Sequence, residues 1–260
     1  MKLFLDAACG CHTGRVRSRN EDNFYFDGRC LERQHSGLRH PVYMEEPLRT
    51  GACLAVFDGM GGEAHGDAAS FAAARQLQLL QRGGEDYFYS EKSRLRELTT
   101  RLNRAVADMR EELHAPVMGT TMAALYFTPR NVYVCNVGDS RAYRLRQGEF
   151  LQLTQDHIET RPGGEGGKRP LTRYLGMDPE ESQVEPYIAR GELLPGDRYL
   201  LCSDGLTDML TNFETADILL QTPDAGTAVS RLIRAALDAG GRDNVTVIVC
   251  NILPPGEGNR

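Results

Sequence analysis

The sequence predicts an α+β fold, in which helices cover sheets. Strand-like runs come first, two helical patterns follow between residues 66 and 113, and strand-like runs then resume. Strands followed by helices and by strands again are typical of sheets with helices on their outer faces. The chain shows no linker-like change of composition and no internal repeat. A single domain over residues 1–260 is therefore predicted.

Strands are predicted where short apolar or alternating runs lie between turn residues. These runs are Leu3–Ala8, Asn23–Asp27, Ala52–Phe57, Thr120–Phe127, Val132–Val137, Ala142–Leu145, Phe150–Leu153, Arg198–Cys202 and Val245–Ile252. Two other segments are predicted to be irregular. Cys30–Thr50 mixes charged residues with His and Pro, and Ile158–Pro170 is rich in glycine.

Helices are predicted from apolar residues that recur at spacings of three and four. The clearest stripe runs from Leu95 to Leu113. A second helix is expected from about Gly66 to Leu80, a third over Ala228–Ala239, and a shorter one near Phe213–Leu220. These helices would cover the sheets.

Composition limits the possible partners and compartment. The net charge of −6 argues against nucleic acid or an anionic membrane as the main partner. No apolar stretch approaches the length of a membrane span, and Asp6 interrupts the N-terminal apolar run before it could form a secretory signal. The seven cysteines are odd in number and lie mostly inside apolar runs, which favours a reduced cytoplasmic protein.

Three aspartates occupy matching positions at the ends of strand-like runs. Asp58 follows Leu54–Phe57 and precedes Gly59, Asp204 follows an apolar run and precedes Gly205, and Asp243 stands before the last strand. A single Asp-Gly pair usually forms a turn. Three half-buried carboxylates together would be costly without a cation, and hard divalent cations prefer such oxygen ligands. The joint pattern therefore predicts a metal site.

Two further motifs carry charge near this site. The segment Gly14–Asn23 sets arginines beside paired carboxylates, which suggests an anion clamp next to a metal, although alone it could be a solvated turn. Asp139, between two strand-like runs, is either a hairpin residue or a ligand for an additional metal. Gly119-Thr120-Thr121 is assigned a structural role at the start of a strand.

Six short motifs together carry a resemblance over nearly the whole chain, from about Gly14 to Val249. They are Arg17-Ser18-Arg19-Asn20-Glu21-Asp22, Asp58-Gly59-Met60-Gly61-Gly62, Gly119-Thr120-Thr121, Gly138-Asp139-Ser140-Arg141, Ser203-Asp204-Gly205 and Gly241-Arg242-Asp243-Asn244. Their order resembles that of the PPM/PP2C family of metal-dependent protein Ser/Thr phosphatases, and the bacterial branch most of all. The resemblance implies a four-layer α-β-β-α sandwich of two antiparallel sheets flanked by helices.

The resemblance also implies roles for the aspartates. Asp58 would bridge two Mn²⁺ or Mg²⁺ ions, and Asp204 and Asp243 would complete one coordination sphere. These three are the predicted catalytic residues. The carbonyl of Gly59 and water molecules would complete the other sphere.

The remaining site residues are assigned by the same resemblance. Glu21 and Asp22 would hold metal-coordinating waters, and Asp139 with Asp204 matches the position of a third, weaker metal. Arg17 matches the arginine that contacts the substrate phosphate. A water activated by the two cations would attack phosphorus directly, without a covalent enzyme intermediate. The implied partners are phosphoproteins, including a cognate bacterial Ser/Thr kinase.

The chain departs from the family in two places. Met60 stands where eukaryotic members have a candidate general-acid histidine, and Glu63 stands where bacterial members often have histidine. The flap that relatives carry is shortened to the glycine-rich segment around residues 158–170, which predicts a permissive phosphatase.

Two other hypotheses fit parts of the sequence. Cys11 and Arg17 satisfy the Cys-x5-Arg spacing of cysteine-dependent phosphatases, which need a low-pKa thiolate at a helix N-terminus. The second rival is a catalytically inactive family member that only binds phosphoproteins. Such members usually lack one or more of the metal ligands, whereas all are present here.

Overall fold

The computed structural model describes residues 3–48, 51–60, 65–82, 90–159 and 169–254. Its strands are β1 (Phe4–His12), β2 (Asp22–Tyr25), β3 (Val42–Pro47), β4 (Ala52–Met60), β5 (Gly119–Thr120), β6 (Met122–Phe127), β7 (Asn131–Val137), β8 (Arg141–Arg146), β9 (Glu149–Gln152), β10 (Tyr187–Glu192), β11 (Arg198–Cys202) and β12 (Val245–Leu253). Its helices are α1 (Gly66–Arg82), α2 (Glu91–Glu112), α3 (Asp204–Thr207), α4 (Asn212–Gln221) and α5 (Ala225–Asp238).

The strands form two sheets in which every paired neighbour is antiparallel. The first sheet has the order β3-β1-β12-β11-β8-β9. The second has the order β10-β7-β6-β4-β2, with β5 paired to β4 outside that path. Strands that are distant in sequence thus become neighbours, which brings their end residues together.

Three apolar cores hold four layers together. One core lies between the sheets and contains side chains such as Leu5, Phe24 and Leu125. A second packs α1 and α2 against the second sheet, and a third packs α4 and α5 against the first. The predicted helix–sheet–sheet–helix sandwich is therefore confirmed. No helix in the described ranges combines the length and apolar character needed to cross a bilayer.

The nine predicted strands and four predicted helices are present, with shifted ends. The prediction that Cys30–Thr50 is irregular throughout was wrong, because β3 pairs with β1 along the edge of the first sheet. Its charged residues fit an edge strand, which keeps one face in solvent. The strand β10 was not predicted. Of the segment 158–170, residues 160–168 lie outside the described residues, so the proposed short flap stays a prediction; at its base Ile158 pairs with Leu171.

Candidate metal centre

Asp58 is held at the end of β4 by the backbone around it. It pairs with Asp22 across the β2–β4 ladder. The Asp58 amide donates to Thr121 Oγ1 at 3.0 Å, and Thr120 Oγ1 donates to the Asp58 carbonyl at 2.8 Å. The two threonines therefore fix the Asp58 backbone, which is consistent with the structural role assigned to them from sequence.

Gly59 lies where the chain has no room for a side chain. A Cβ atom on Gly59 would lie 2.2 Å from the Gly66 carbonyl oxygen and 2.5 Å from that of Glu21. The Gly59 amide donates to the Glu21 carbonyl at 3.1 Å. Only glycine fits this crossing, and the tight approach brings the Glu21–Asp22 segment beside Asp58.

Asn244 ties the N-terminal motif to the loop that carries Asp243. Its Nδ2 donates to the carbonyls of Thr13 and Arg19 at 2.7 and 2.9 Å, and its Oδ1 accepts from the Glu21 amide at 2.8 Å. The sequence had placed Asn244 in a motif without assigning it a role. Because one amide side chain binds three backbone groups, Asn244 positions the whole segment from Thr13 to Glu21.

The loops of Asp204 and Asp243 also touch. Asp204 begins α3 directly after β11, and a Cβ atom on Gly205 would lie 1.8 Å from the Asn244 carbonyl oxygen. This glycine is therefore required by a backbone contact between the two loops. The contact accounts for the Asp-Gly pair that the sequence could also have explained as a simple turn.

One cavity of about 410 Å³ opens among these loops. Asp204, Asp243 and Asp139 all line it, together with other polar side chains that include Arg141, Asp156, Arg169, Asp208 and Arg242. The structure thus brings three predicted ligands to one space, although they are far apart in sequence. Asp58 is connected to this region through Thr121. The Thr121 hydroxyl accepts a hydrogen bond from the Asp58 amide and lies 2.7 Å from Ser140 Oγ.

Arg17 lies at this centre, where it forms an ion pair with Asp243. Its Nη2 donates to Asp243 Oδ2 at 2.8 Å, and about half of its side chain is exposed. The resemblance had placed Arg17 on the substrate phosphate. An exposed guanidinium beside the cavity has the reach and the paired donors to bind such an anion.

The donor set suits a hard divalent cation. All predicted ligands are oxygens, the chemistry that Mn²⁺ and Mg²⁺ prefer. Burial raises the pKa of Glu21, and burial also raises the pKa of Asp22 to about 7, with the charges of Asp204 and Asp243 adding to the shift. A cation would relieve this accumulation of negative charge.

The described side chains are not yet arranged as a complete cage. Among them, no group of three His, Cys, Asp or Glu side chains is spaced to hold a metal without adjustment. Arg17 covers one oxygen of Asp243. The oxygen ligands and the shared cavity are the features that fit a hard divalent cation.

The turn that carries Asp139 is held by hydrogen bonds to His157, a residue to which the sequence analysis gave no role. Gly138 has φ of +96°, and its amide donates to His157 Nδ1 at 3.1 Å. The His157 amide in turn donates to the Gly138 carbonyl at 3.0 Å. Burial and Arg173 lower the pKa of His157 to about 4, so the ring is neutral and can accept this bond.

The cysteine-dependent alternative does not fit the position of Cys11. Cys11 lies within strand β1, faces the core between the sheets and is 1% exposed. Burial, with the nearby charge of Asp22, raises the pKa of its thiol to about 12. A nucleophilic cysteine needs an accessible thiolate at a helix N-terminus, and neither condition is met.

Comparison with known proteins identifies the family. Residues 46–235 match the family described as Protein phosphatase 2C. The serine/threonine protein phosphatase PstP of Mycobacterium tuberculosis is 34% identical over 96% of this chain. The serine/threonine phosphatase stp of Listeria welshimeri is 32% identical over 91% of both proteins. This chain spans only 46% of the length of PstP.

A solved structure supports the fold and the expected metal. The catalytic domain of PstP in complex with two manganese ions superposes with a TM-score of 0.76 at 32% identity, and covers 97% of this chain and 100% of that domain. The predicted Mn²⁺ or Mg²⁺ pair is in line with this relative. The fold and the family that the motifs predicted are confirmed, and the chain belongs to the protein phosphatase 2C family.

Proposed function

We propose that this chain is a metal-dependent protein Ser/Thr phosphatase. The observation that carries the proposal is the convergence of Asp139, Asp204 and Asp243 on one cavity, with the exposed guanidinium of Arg17 at Asp243. The named relatives are serine/threonine phosphatases, which supports the same activity here. None of the predicted carboxylate ligands is missing from the sequence, which favours an enzyme over an inactive binding module.

The side chains have separable tasks in this proposal. Asp58, Asp204 and Asp243, with the carbonyl of Gly59, would hold a pair of divalent cations, and Asp139 with Asp204 a third. When bound, such cations activate water and neutralise charge on a phosphate ester.

Three further side chains would act next to the metal-binding aspartates. Glu21 and Asp22 would orient metal-coordinating waters. Arg17 would leave Asp243 and donate paired hydrogen bonds to the phosphate oxygens, whose negative charge grows in the transition state.

The substrates would be phosphoserine and phosphothreonine in proteins, and a cognate Ser/Thr kinase would be among them. The related phosphatases support phosphoprotein substrates in general. We place the protein in the cytoplasm because all seven cysteines are free and six are buried, as is typical of reducing compartments. A single catalytic domain over residues 1–260 is supported by the core that both sheets share.

The activity is tested with the purified chain and a phosphothreonine peptide. Turnover should disappear in EDTA and return on addition of Mn²⁺. Treatment with a thiol-alkylating reagent should leave turnover in place, because Cys11 is buried. Substantial hydrolysis in excess chelator, together with loss of activity on alkylation, would overturn the proposal in favour of the cysteine mechanism.

A further inference from the structure

A buried hydrogen-bond network surrounds Asp22 just behind the metal centre. Asp22 is 1% exposed, and its Oδ2 accepts two bonds of 2.7 Å, one from Ser203 Oγ and one from Thr246 Oγ1. The Thr246 amide donates to Ser203 Oγ at 3.0 Å, which fixes the direction of that hydroxyl. Two oriented hydroxyls therefore hold a single carboxylate oxygen.

The network continues from Thr246 to Cys11 and Asn20. Asn20 Oδ1 accepts from the Asp22 amide at 3.1 Å, while Asn20 Nδ2 donates to Cys11 Sγ at 3.2 Å. Cys11 Sγ lies 3.3 Å from Thr246 Oγ1, which closes a ring. Ser203 and Thr246 are both 0% exposed, so bulk solvent does not reach their hydroxyls.

The ring joins the two sheets at the end where the predicted ligands lie. Thr246 is on β12 and Cys11 on β1 of the first sheet, whereas Asp22 is on β2 of the second. Ser203 directly precedes Asp204. Asp22 itself faces Asp58 across the β2–β4 ladder. A change in the orientation of Asp22 would therefore be felt by residues on both sides of the proposed metal site.

The donors on Asp22 are neutral, and this determines what they do. A hydroxyl orients a carboxylate without cancelling its charge, whereas an arginine would cancel it. No Lys or Arg within the described ranges forms an ion pair with Asp22. Among the described residues, Asp22 is thus oriented by neutral donors and is not paired with a cationic side chain.

We propose that Ser203 and Thr246 are positioning residues for the metal centre, which act by fixing the Asp22 carboxylate through their hydroxyls. This inference rests on the proposed function, because it assumes that the centre binds divalent cations. Hydrogen-bond partners behind metal-site groups typically change metal affinity about 10–100-fold when they are removed. Loss of either hydroxyl should therefore weaken Mn²⁺ binding by about tenfold or more.

The test compares three single variants by calorimetric titration with Mn²⁺. Thr246→Val removes the hydroxyl and keeps the β-branched shape, Ser203→Ala removes the second hydroxyl, and Thr246→Ser restores a donor. We expect weaker Mn²⁺ binding in the first two and recovery in Thr246→Ser. Thr99→Val is the matched control, because Thr99 is also 0% exposed but donates to Leu95 O within α2.

Thermal unfolding gives an independent readout. Ligand that binds only the folded state raises Tm, so the Mn²⁺-induced rise should shrink in Thr246→Val and Ser203→Ala relative to wild type. The Thr99→Val chain should lose stability in EDTA and keep the full rise. If Thr246→Val does not fold, Ser203→Ala still decides the question.

A double-mutant cycle separates positioning from packing. In an Asp22→Asn background, Thr246→Val should cause no further loss of Mn²⁺ affinity, because the carboxylate through which it acts is gone. Wild-type affinity in Ser203→Ala and Thr246→Val, or an unchanged loss in the Asp22→Asn background, would overturn the inference. A wild-type chain that binds Mn²⁺ but hydrolyses no phosphopeptide would instead contradict the proposed function alone.

Discussion

Two equally buried carboxylates, Asp22 and Asp197, have different kinds of hydrogen-bond partner. Each is 1% exposed. Asp197 precedes β11 and receives two bonds from Arg146, at 2.6 and 2.7 Å, together with bonds from Tyr199 OH and the Leu194 amide. Asp22 lies near the other end of β11, and among the described residues its side chain accepts hydrogen bonds from the hydroxyls of Ser203 and Thr246 alone.

The two carboxylates, at opposite ends of β11, differ in whether a cationic side chain is paired with them. At Asp197 the opposing charge is built into the chain, so the carboxylate holds structure together. At Asp22 the described residues supply orienting hydroxyls and no ion pair, and burial raises the pKa of this carboxyl to about 7. A buried carboxyl whose pKa is raised in this way marks a candidate functional site, and a bound cation would favour its charged form.

The largest effect is expected at the metal end. Asp58→Asn keeps the size of the side chain but removes the charge that would bridge the cations. We expect kcat on a phosphothreonine peptide to fall by about 10³-fold, with little change in the unfolding curve measured in EDTA. Activity near the wild-type value would remove Asp58 from the metal centre.

The opposite pattern is expected at Asp197. Asp197→Asn leaves the Arg146 guanidinium without its carboxylate, and breaking a buried pair costs about 3 kcal/mol. Urea unfolding should show that loss, while the Mn²⁺-induced rise in Tm and kcat of the folded fraction stay at wild-type values. Asp238→Asn, at an exposed ion pair, is the control and should change stability little. Reduced Mn²⁺ binding in Asp197→Asn would contradict the purely structural role given to Asp197.

A third variant extends the comparison to a buried group that is neutral. The pKa of His157 is about 4 in the folded protein, against about 6.5 for a free histidine. As pH falls from 6.5 toward 4, only the unfolded chain takes up this proton, so stability is lost across that window by about 2–3 kcal/mol.

Unfolding free energies in EDTA at pH 7 and pH 4.5 measure this effect. His157→Asn should show a shallower loss with acid than wild type, whereas His40→Asn, at an exposed position, should follow wild type. Equal pH dependence in wild type and His157→Asn would show that the buried ring does not resist protonation.

The smallest effect is expected at Asp139. This carboxylate lines the cavity, and the proposed third metal would share it with Asp204. Asp139→Ala should lower kcat/KM on phosphoprotein by about tenfold and leave two Mn²⁺ ions bound in calorimetry. Asp217→Ala, on the exposed face of α4, is the control. Loss of the tightly bound ions would make Asp139 a ligand of the first pair.

Periodic apolar patterns predicted most of the strands and helices, whereas the four-layer arrangement of the two sheets was implied only by the family resemblance. The sequence missed β3, where Glu45 and Glu46 broke the apolar signal of an edge strand. It found the aspartates because their setting repeats. It could not find the bonds from Ser203 and Thr246 to Asp22, which join residues 181 and 224 positions apart and depend on the pairing of strands.

For two residues the structure adds contacts that the motifs could not show. Cys11 matched a spacing that carries chemistry in other enzymes, but the pattern contained no information on its burial in β1. Asn244 stood in a motif beside Asp243 without an assigned role, and the fold shows that it binds three backbone groups of the N-terminal segment. Motifs report which residues are present, whereas their partners depend on tertiary structure.

The most direct test of the metal centre is anomalous diffraction from crystals of the wild-type chain grown with Mn²⁺. Two strong peaks should lie between Asp58, Asp204 and Asp243, with the Asp243 side chain turned from Arg17 toward one of them. The crystals of Asp58→Asn should lack at least one of these peaks. Absence of manganese from this site in wild-type crystals, or peaks only at other carboxylates, would contradict the metal-dependent mechanism.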